Sequence, residues 1–264
     1  MILWCDGAHP AAENMRRDAA LLAAAEHGAP AVLRLFRFAP PGITLGMNQT
    51  PAVELDLARC AADGIGWAVR PTGGRAIFHA EEWTYALAAP RDDRQWGGSL
   101  DEVYRRASEL VMRALVRLGV PAALVPRRGP GAPAAARDRG AAAPPCFAST
   151  ARHEVVVRGV KLVGSAQRRT ALASLQQGSI LLGDGHLRIA DYIATEAAAR
   201  PVIREALRSA SASAAPWIGS AAPLERWADA VHAELGAAIP RLDGPSGVFL
   251  LTRAGSGSYT APAV

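Results

Sequence analysis

Of the 29 basic residues in this chain, 28 are arginines and one, Lys161, is a lysine. With abundant Ala, Gly and Pro around it, that skew reads as drift that replaced lysine wherever a generic surface cation would do. Lysine offers a compact ammonium that can lose its proton when desolvated, whereas a guanidinium stays charged and cannot act as a base. Taken alone, chance survival of one lysine accounts for the same count. Lys161 opens the run Lys161-Leu162-Val163-Gly164-Ser165-Ala166-Gln167. The small residues Gly164, Ser165 and Ala166 would let a ligand chain lie against the backbone. Further on, Leu175-Gln176-Gln177-Gly178-Ser179-Ile180-Leu181-Leu182 places Gln176, Gly178 and Ser179 at the mouth of an apolar strand. An elongated apolar slot with a few polar groups suits a fatty-acyl chain better than a nucleotide base.

The three cysteines, Cys5, Cys60 and Cys146, are too few for a disulfide framework and lack the paired short spacings of a zinc site. Cys5 and Cys60 lie on apolar-periodic elements and read as buried hydrophobes. Cys146, in Pro145-Cys146-Phe147-Ala148-Ser149, follows a segment rich in Pro, Ala, Gly and Arg and precedes Lys161 by 15 residues, enough for one strand and a return. An ammonium beside that thiol would stabilise the thiolate, which is the nucleophile. The second constellation is Arg70-Pro71-Thr72-Gly73-Gly74-Arg75-Ala76-Ile77-Phe78-His79. Adjacent amides at Gly73 and Gly74 can bind an anion or a carbonyl oxygen, with Arg70 and Arg75 as flanking guanidinium forks. A plain hairpin turn with solvated arginines is the competing account. His79 is the histidine nearest this segment and His153 a second candidate; the other four read as surface residues.

Hydrophobic periodicity indicates which elements carry these groups. Strands are expected at 2–5, 32–38, 43–45, 65–69, 76–79 and 83–89, with a helix between Pro10 and Gly28 and a short one over 54–62. Ser99 and Glu102 form a capping box ahead of a helix that Gly119 closes. Residues 126–145 read as a mobile loop. A tight hairpin is expected at 154–158 and 160–165 around Gly159, a strand at 172–182, and helices at 191–198, 201–210 and 224–239. Hairpins and helices without regular interleaving argue an α+β fold with a mixed or antiparallel sheet flanked by helices.

At 264 residues the chain holds one large domain or two small ones. The division expected is a catalytic domain at 1–190 and a C-terminal helical extension at 191–264 packed on it. Half the residues are apolar and a fifth charged, as in soluble globular proteins. No apolar stretch is long enough for a membrane, and the start has no basic leader or apolar export segment, so a cytoplasmic location is expected. The net charge of +5 is scattered along the chain without interleaved aromatics, which disfavours nucleic acid and suits an acidic protein partner.

Together these segments resemble the lipoate–protein ligase, biotin–protein ligase and octanoyltransferase family. The resemblance covers most of the first 190 residues. It begins at Asn14-Met15 and Asp18, and runs through Ile43-Thr44-Leu45-Gly46-Met47-Asn48-Gln49, the Arg70 to His79 segment, Cys146-Phe147, the Lys161 to Arg169 run and the Leu175 to Leu182 run. It implies a class-II-synthetase-like catalytic domain in which the lone lysine contacts the acyl carbonyl. ATP-dependent ligases of the family usually carry a third Gly where this chain has Arg75, and His-Asp-x-Gly-Asn where it has His79-Ala80-Glu81-Glu82-Trp83. Cys-Phe ahead of the lysine strand resembles the LipM-type octanoyltransferase branch, in which that cysteine carries the acyl group. Gln177 departs from the His common in the family.

What the resemblance implies is octanoyl transfer in lipoate biosynthesis, from octanoyl-acyl carrier protein to a lysine of a lipoyl-type carrier domain, through a Cys146 thioester. The acceptor would be a glycine-cleavage carrier or a dehydrogenase subunit. Cys146 and Lys161 are the expected catalytic pair; Arg70, Thr72, Gly73, Gly74, Arg75, His79, Gly164, Ser165, Ala166, Gln176, Gly178 and Ser179 are expected to bind substrate. No metal or other cofactor is required. The alternatives are an ATP- and Mg-dependent lipoate–protein ligase forming an acyl-adenylate, with Arg70, Gly73 and Gly74 on the phosphate, and a non-catalytic acyl- or carrier-binding module.

Overall fold

A computed structural model describes residues 1–125 and 153–251. The chain opens with β1 (Ile2–His9), α1 (Ala11–Glu26), β2 (Val32–Phe38), β3 (Gly42–Leu45), the short helices α2 (Pro51–Glu54) and α3 (Leu57–Ala62), and β4 (Gly66–Val69). Next come β5 (Ile77–His79), β6 (Glu82–Pro90), α4 (Leu100–Arg117) and β7 (Ala122–Leu124). The second described stretch holds β8 (Val155–Val157), β9 (Val160–Lys161), β10 (Val163–Arg169), β11 (Ala173–Leu181), α5 (Ile189–Tyr192), α6 (Arg200–Ala210), α7 (Ala215–Ile218), α8 (Leu224–Leu235) and β12 (Arg241–Asp243).

Local chemistry accounts for the helix ends. Pro10, expected inside the first turn of α1, sits at the cap just before it, and Gly28 leaves the helix at φ +80°. The capping box of α4 is formed in full: Glu102 N donates to Ser99 Oγ at 3.3 Å, and Ser99 N donates to Glu102 Oε2 at 2.8 Å. The single helix expected at 54–62 is two, because Leu55 is extended and Asp56 caps α3 by accepting from Arg59 N at 3.0 Å.

The main sheet has the order β10-β11-β6-β2-β1-β12 and is mixed, with β1 parallel to β2 and β12 and the other pairs antiparallel. Two three-stranded sheets, β4-β3-β5 and β7-β8-β9, complete the α+β fold expected. On β6, Trp83, Tyr85 and Leu87 point into the core beneath α4 and α8, where Trp83 stacks on Trp227 at 5.6 Å. Ala86 and Ala88 point to the other face, against α1, together with Ala173 and Leu175 of β11. Period-two alternation then puts Glu82 and Thr84, and Gln177 and Ser179, on that same α1 face.

Three features depart from expectation. β4 and β5 pair with β3 on its two sides, so residues 70–76 cross the end of β3 and do not form a hairpin turn. The strand expected at 160–165 changes sheets at Leu162: Lys161 pairs with Val156, while Val163 pairs with Ile180. Leu162 serves both sides, donating to the Val155 carbonyl at 3.0 Å and accepting from Leu181 N at 3.2 Å. The C-terminal part, expected to be helical, also supplies β12 to the edge of the main sheet. The loop expected at 126–145 lies outside the described residues.

Candidate active site

Where β6, β10 and β11 meet the small sheet of β3 and β5, a small cavity of about 30 Å³ opens. Seven of the residues expected to bind substrate line it: Arg70, His79, Gly164, Ser165, Ala166, Gly178 and Ser179. Met15, Phe38 and Ile77 add apolar surface, and Thr44, Thr84 and Gln177 add polar side chains that sequence reasoning had not assigned to the site. Gly178 is required by packing: a Cβ there would lie 2.3 Å from the Tyr85 ring. Gln176 turns to the opposite face of the sheet, donating to Tyr85 Oη at 2.9 Å. Burial holds the Tyr85 phenol above its ordinary ionisation range, so it remains a neutral partner of Gln176 and Ser165.

One buried carboxylate organises the polar wall. Glu82 Oε1 accepts from His79 Nδ1 at 2.6 Å, Thr84 Oγ1 at 2.8 Å and Ser179 Oγ at 3.1 Å. On the other side of the ring Nε2 meets the Thr44 hydroxyl at 2.7 Å, and Thr44 Oγ1 in turn accepts from Arg70 at 3.2 Å. Phe38 stacks on the imidazole at 3.9 Å. The result is a buried chain from guanidinium through hydroxyl and imidazole to carboxylate. Glu82 Oε2 is buried without a hydrogen-bond partner among the described residues. Sequence reasoning missed Glu82; its signal was the alternation of β6, which forces an acidic residue inward two positions before Thr84.

Arg70 does not present a free fork to the pocket. Its Nε and Nη2 donate to the Gly73 carbonyl at 3.0 and 2.8 Å, Nη2 also to the Arg75 carbonyl at 2.8 Å, and Nη1 to the Thr44 carbonyl and hydroxyl at 3.2 Å. These bonds tie the loop to Thr44 of β3. Gly74 sits at φ +96°, and its carbonyl would lie 2.1 Å from a Cβ at Gly46, so only glycine lets the two segments meet. Thr72, Gly73, Gly74 and Arg75 thus lie in the loop above the pocket and not among the residues that line it.

Thr72 connects that loop to the core. Its hydroxyl donates to Gln177 Oε1 at 2.6 Å, and Gln177 Nε2 donates to Asp18 Oδ2 at 2.5 Å. Asp18 also accepts from the fully buried Arg34 at 2.6 Å, which bonds Asp6 at 2.7 Å and Asn14 Oδ1 at 2.6 Å. Burial pushes the Asp18 carboxyl up, opposed by the Arg34 charge and the Gln177 amide. An amide can give and take at once, so Gln177 bridges a carboxylate and a hydroxyl.

Lys161 lies on β9, three residues ahead of Gly164, and does not line the pocket. Its Nζ donates to Glu154 Oε1 at 2.6 Å, with both side chains buried. Glu154 too had been missed; an acidic residue leading a run of three valines was its signal. Cys146 lies outside the described residues, and so does its distance to Lys161. Cys5 and Cys60 are buried free thiols as expected; burial pushes Cys5 up to about 11 and raises Cys60 as well. His153 faces Asp101 of α4 at 3.8 Å. His186, expected on the surface, is buried because the chain after α6 crosses it and Ser211 Oγ meets its Nε2 at 2.8 Å. Among the described residues no cluster of His, Cys, Asp or Glu has metal-binding form, and no helix is long and apolar enough to cross a membrane.

Comparison with known proteins places this geometry. An octanoyltransferase LipM of Kyrpidia tusciae is 41% identical over 177 residues, 67% of this chain and 64% of that protein. One from Symbiobacterium thermophilum is 40% identical over 182 residues, 67% of this chain and 63% of its own length. The matched region therefore spans a little under two thirds of these relatives. In fold, the chain resembles an archaeal bipartite lipoate protein ligase from Thermoplasma acidophilum, with a TM-score of 0.68 at 18% identity over 95% of this chain and 90% of that one. A lipoate-protein ligase A bound with ATP gives 0.64 at 17% identity over 95% and 92%. The model of the lipoyl protein ligase A/B catalytic domain matches residues 10–235, which include the strands around the pocket, and the chain belongs to that family.

Proposed function

We propose that the protein is an octanoyltransferase of lipoate biosynthesis, moving an octanoyl group from acyl carrier protein to a lysine of a lipoyl-type carrier domain through a thioester on Cys146. The observation that carries this reading is the similarity to octanoyltransferases at 40% and 41% identity, together with a pocket walled by Gly164, Ser165, Ala166 and Gly178 inside the region that the family model matches. Small residues there let a substrate chain approach the backbone closely. Of the three cysteines, Cys5 and Cys60 are buried thiols held in the protonated form, which leaves Cys146 as the candidate nucleophile. Its thiolate attacks the octanoyl thioester, the carrier thiolate leaves, and the amine of the acceptor lysine then displaces the Cys146 sulfur. Lys161 supports the thiolate, holds the acyl carbonyl and, when neutral, takes the proton that the amine sheds. A thioester is already activated, so the reaction needs neither ATP nor a metal. We place this chemistry in residues 1–190, with 191–264 packed as an extension and the whole in the cytoplasm.

The ligase alternative would set Arg70, Gly73 and Gly74 on a phosphate, and the bonds of Arg70 to loop carbonyls and Thr44 weigh against it. The deciding experiment is acyl transfer with and without ATP, on wild type, Cys146→Ser and Lys161→Arg, with mass spectrometry of the enzyme after exposure to octanoyl-acyl carrier protein. ATP-independent transfer and an adduct absent from the Cys146 variant are expected. An adduct that persists in that variant rejects the nucleophile; ATP-dependent use of free lipoate with pyrophosphate release favours the ligase; carrier binding without transfer favours the binding module.

A further inference from the structure

Arg34 shows what a buried cation serving the core looks like in this chain: a guanidinium held between Asp6 and Asp18. The second deeply buried cation with a buried carboxylate partner is Lys161, on Glu154, and there the residue is a lysine although arginine makes up the other 28 basic positions. For a structural ion pair a guanidinium fork is the better partner, which sets the compact ammonium on Glu154 apart from the Arg34 pair.

Both members are held by backbone contacts from separate elements. The Glu154 carbonyl accepts from Val125 N at 2.9 Å, at the end of β7. The Lys161 carbonyl accepts from Ala212 N at 2.8 Å, and Lys161 pairs alongside Ser211 in a parallel bridge, so the chain after α6 braces the lysine strand. A tight turn at Arg158 and Gly159, with φ of +52° and +79°, sets the register that brings Lys161 opposite Val156. From Lys161 the chain needs three more residues to reach Gly164 in the pocket wall.

We propose that Glu154 is a positioning residue for acyl transfer: it fixes the Lys161 ammonium on β9, three residues ahead of the pocket wall at Gly164. This rests on the reading of Lys161 given above. The carboxylate restrains a flexible four-carbon side chain that would otherwise sample many rotamers, so that Nζ meets the acyl carbonyl without first being ordered.

The single lysine makes this testable apart from activity. Protein made with lysine labelled at the ε carbon gives one side-chain signal, whose two ε protons are inequivalent when the ammonium is held and equivalent when it rotates freely. Inequivalent protons are expected in wild type and averaged ones in Glu154→Gln. In octanoyl transfer the same variant should lose about 10- to 100-fold in kcat with KM within about threefold, and Glu154→Asp, which keeps the charge, should recover part of the loss. An averaged signal in wild type overturns the proposal, as does a Gln variant that keeps either its signature or its kcat, or one that changes KM alone. If Glu154→Gln does not fold, Glu154→Asp carries the same two measurements. Should wild type transfer no octanoyl group, the functional reading and the role in transfer both fall, while the ε-proton signal still reports whether the pair holds the lysine.

Discussion

Gly46 and Gly74 show how little space separates the loop above the pocket from the strand beneath it. In Gly46→Ala the new methyl would meet a backbone carbonyl at 2.1 Å and a second backbone atom at 2.9 Å, neither of which can rotate away. The loop must then shift, and with it the carbonyls that hold Arg70; a stability loss of about 2–4 kcal/mol in urea unfolding is expected. Lys161→Arg tests a different property of one residue. It keeps the charge while losing the compact ammonium and the capacity to be neutral, so octanoyl transfer should fall about 100-fold or more in kcat. An enzyme at wild-type rate with arginine there would remove the case for Lys161 as more than a cation.

At the scale of elements, helix ends give the cleanest measurements. Ser99→Ala removes a formed capping box at the exposed start of α4 and should cost about 1 kcal/mol by thermal or urea unfolding. In the first turn of α1, the hydrogen bond from Arg16, helped by Arg17, holds the Glu13 carboxyl down to about 2 against an ordinary value of 4.5. A carboxyl lowered in the folded state stabilises fully above its unfolded value and loses that contribution as pH falls from about 4.5 toward 2. Because the group is largely solvated, the contribution is at most about 1 kcal/mol. Wild type should exceed Glu13→Gln in stability at pH 7 and converge with it near pH 2.

At the scale of the whole molecule, the Asp6, Arg34, Asp18 and Gln177 network joins α1, the main sheet and the loop that carries Thr72. Arg34→Met leaves Asp18 buried without its cation and Asp6 with Arg17 alone, and removal of one partner from such a buried pair costs about 3–5 kcal/mol, readable as a lowered urea midpoint. Asp18 changed to Asn alongside it should return part of that loss, since the uncompensated charge and not the absent attraction carries the penalty. The net charge of +5 acts over a longer range. If acidic carrier domains are the partners, kcat/KM for transfer should fall with added salt while kcat holds, as steering and not chemistry is screened.

Much of this was legible in residue order alone. The capping box of α4, the strand at Val32–Phe38 and the small residues 164–166 on a strand were readable because each depends on neighbours within a few positions. The sole lysine was visible as a count. Tertiary structure decided what long-range pairing decides: that residues 70–76 cross β3 and do not turn back, that Leu162 divides one apolar run between two sheets, and that β12 joins the edge beside β1. It also decided the partners of the polar groups. Glu82 and Glu154 carry no local mark of what they bind, because a buried carboxylate takes its meaning from donors that the fold brings to it, from β5, β6 and β11 in one case and from β9 in the other.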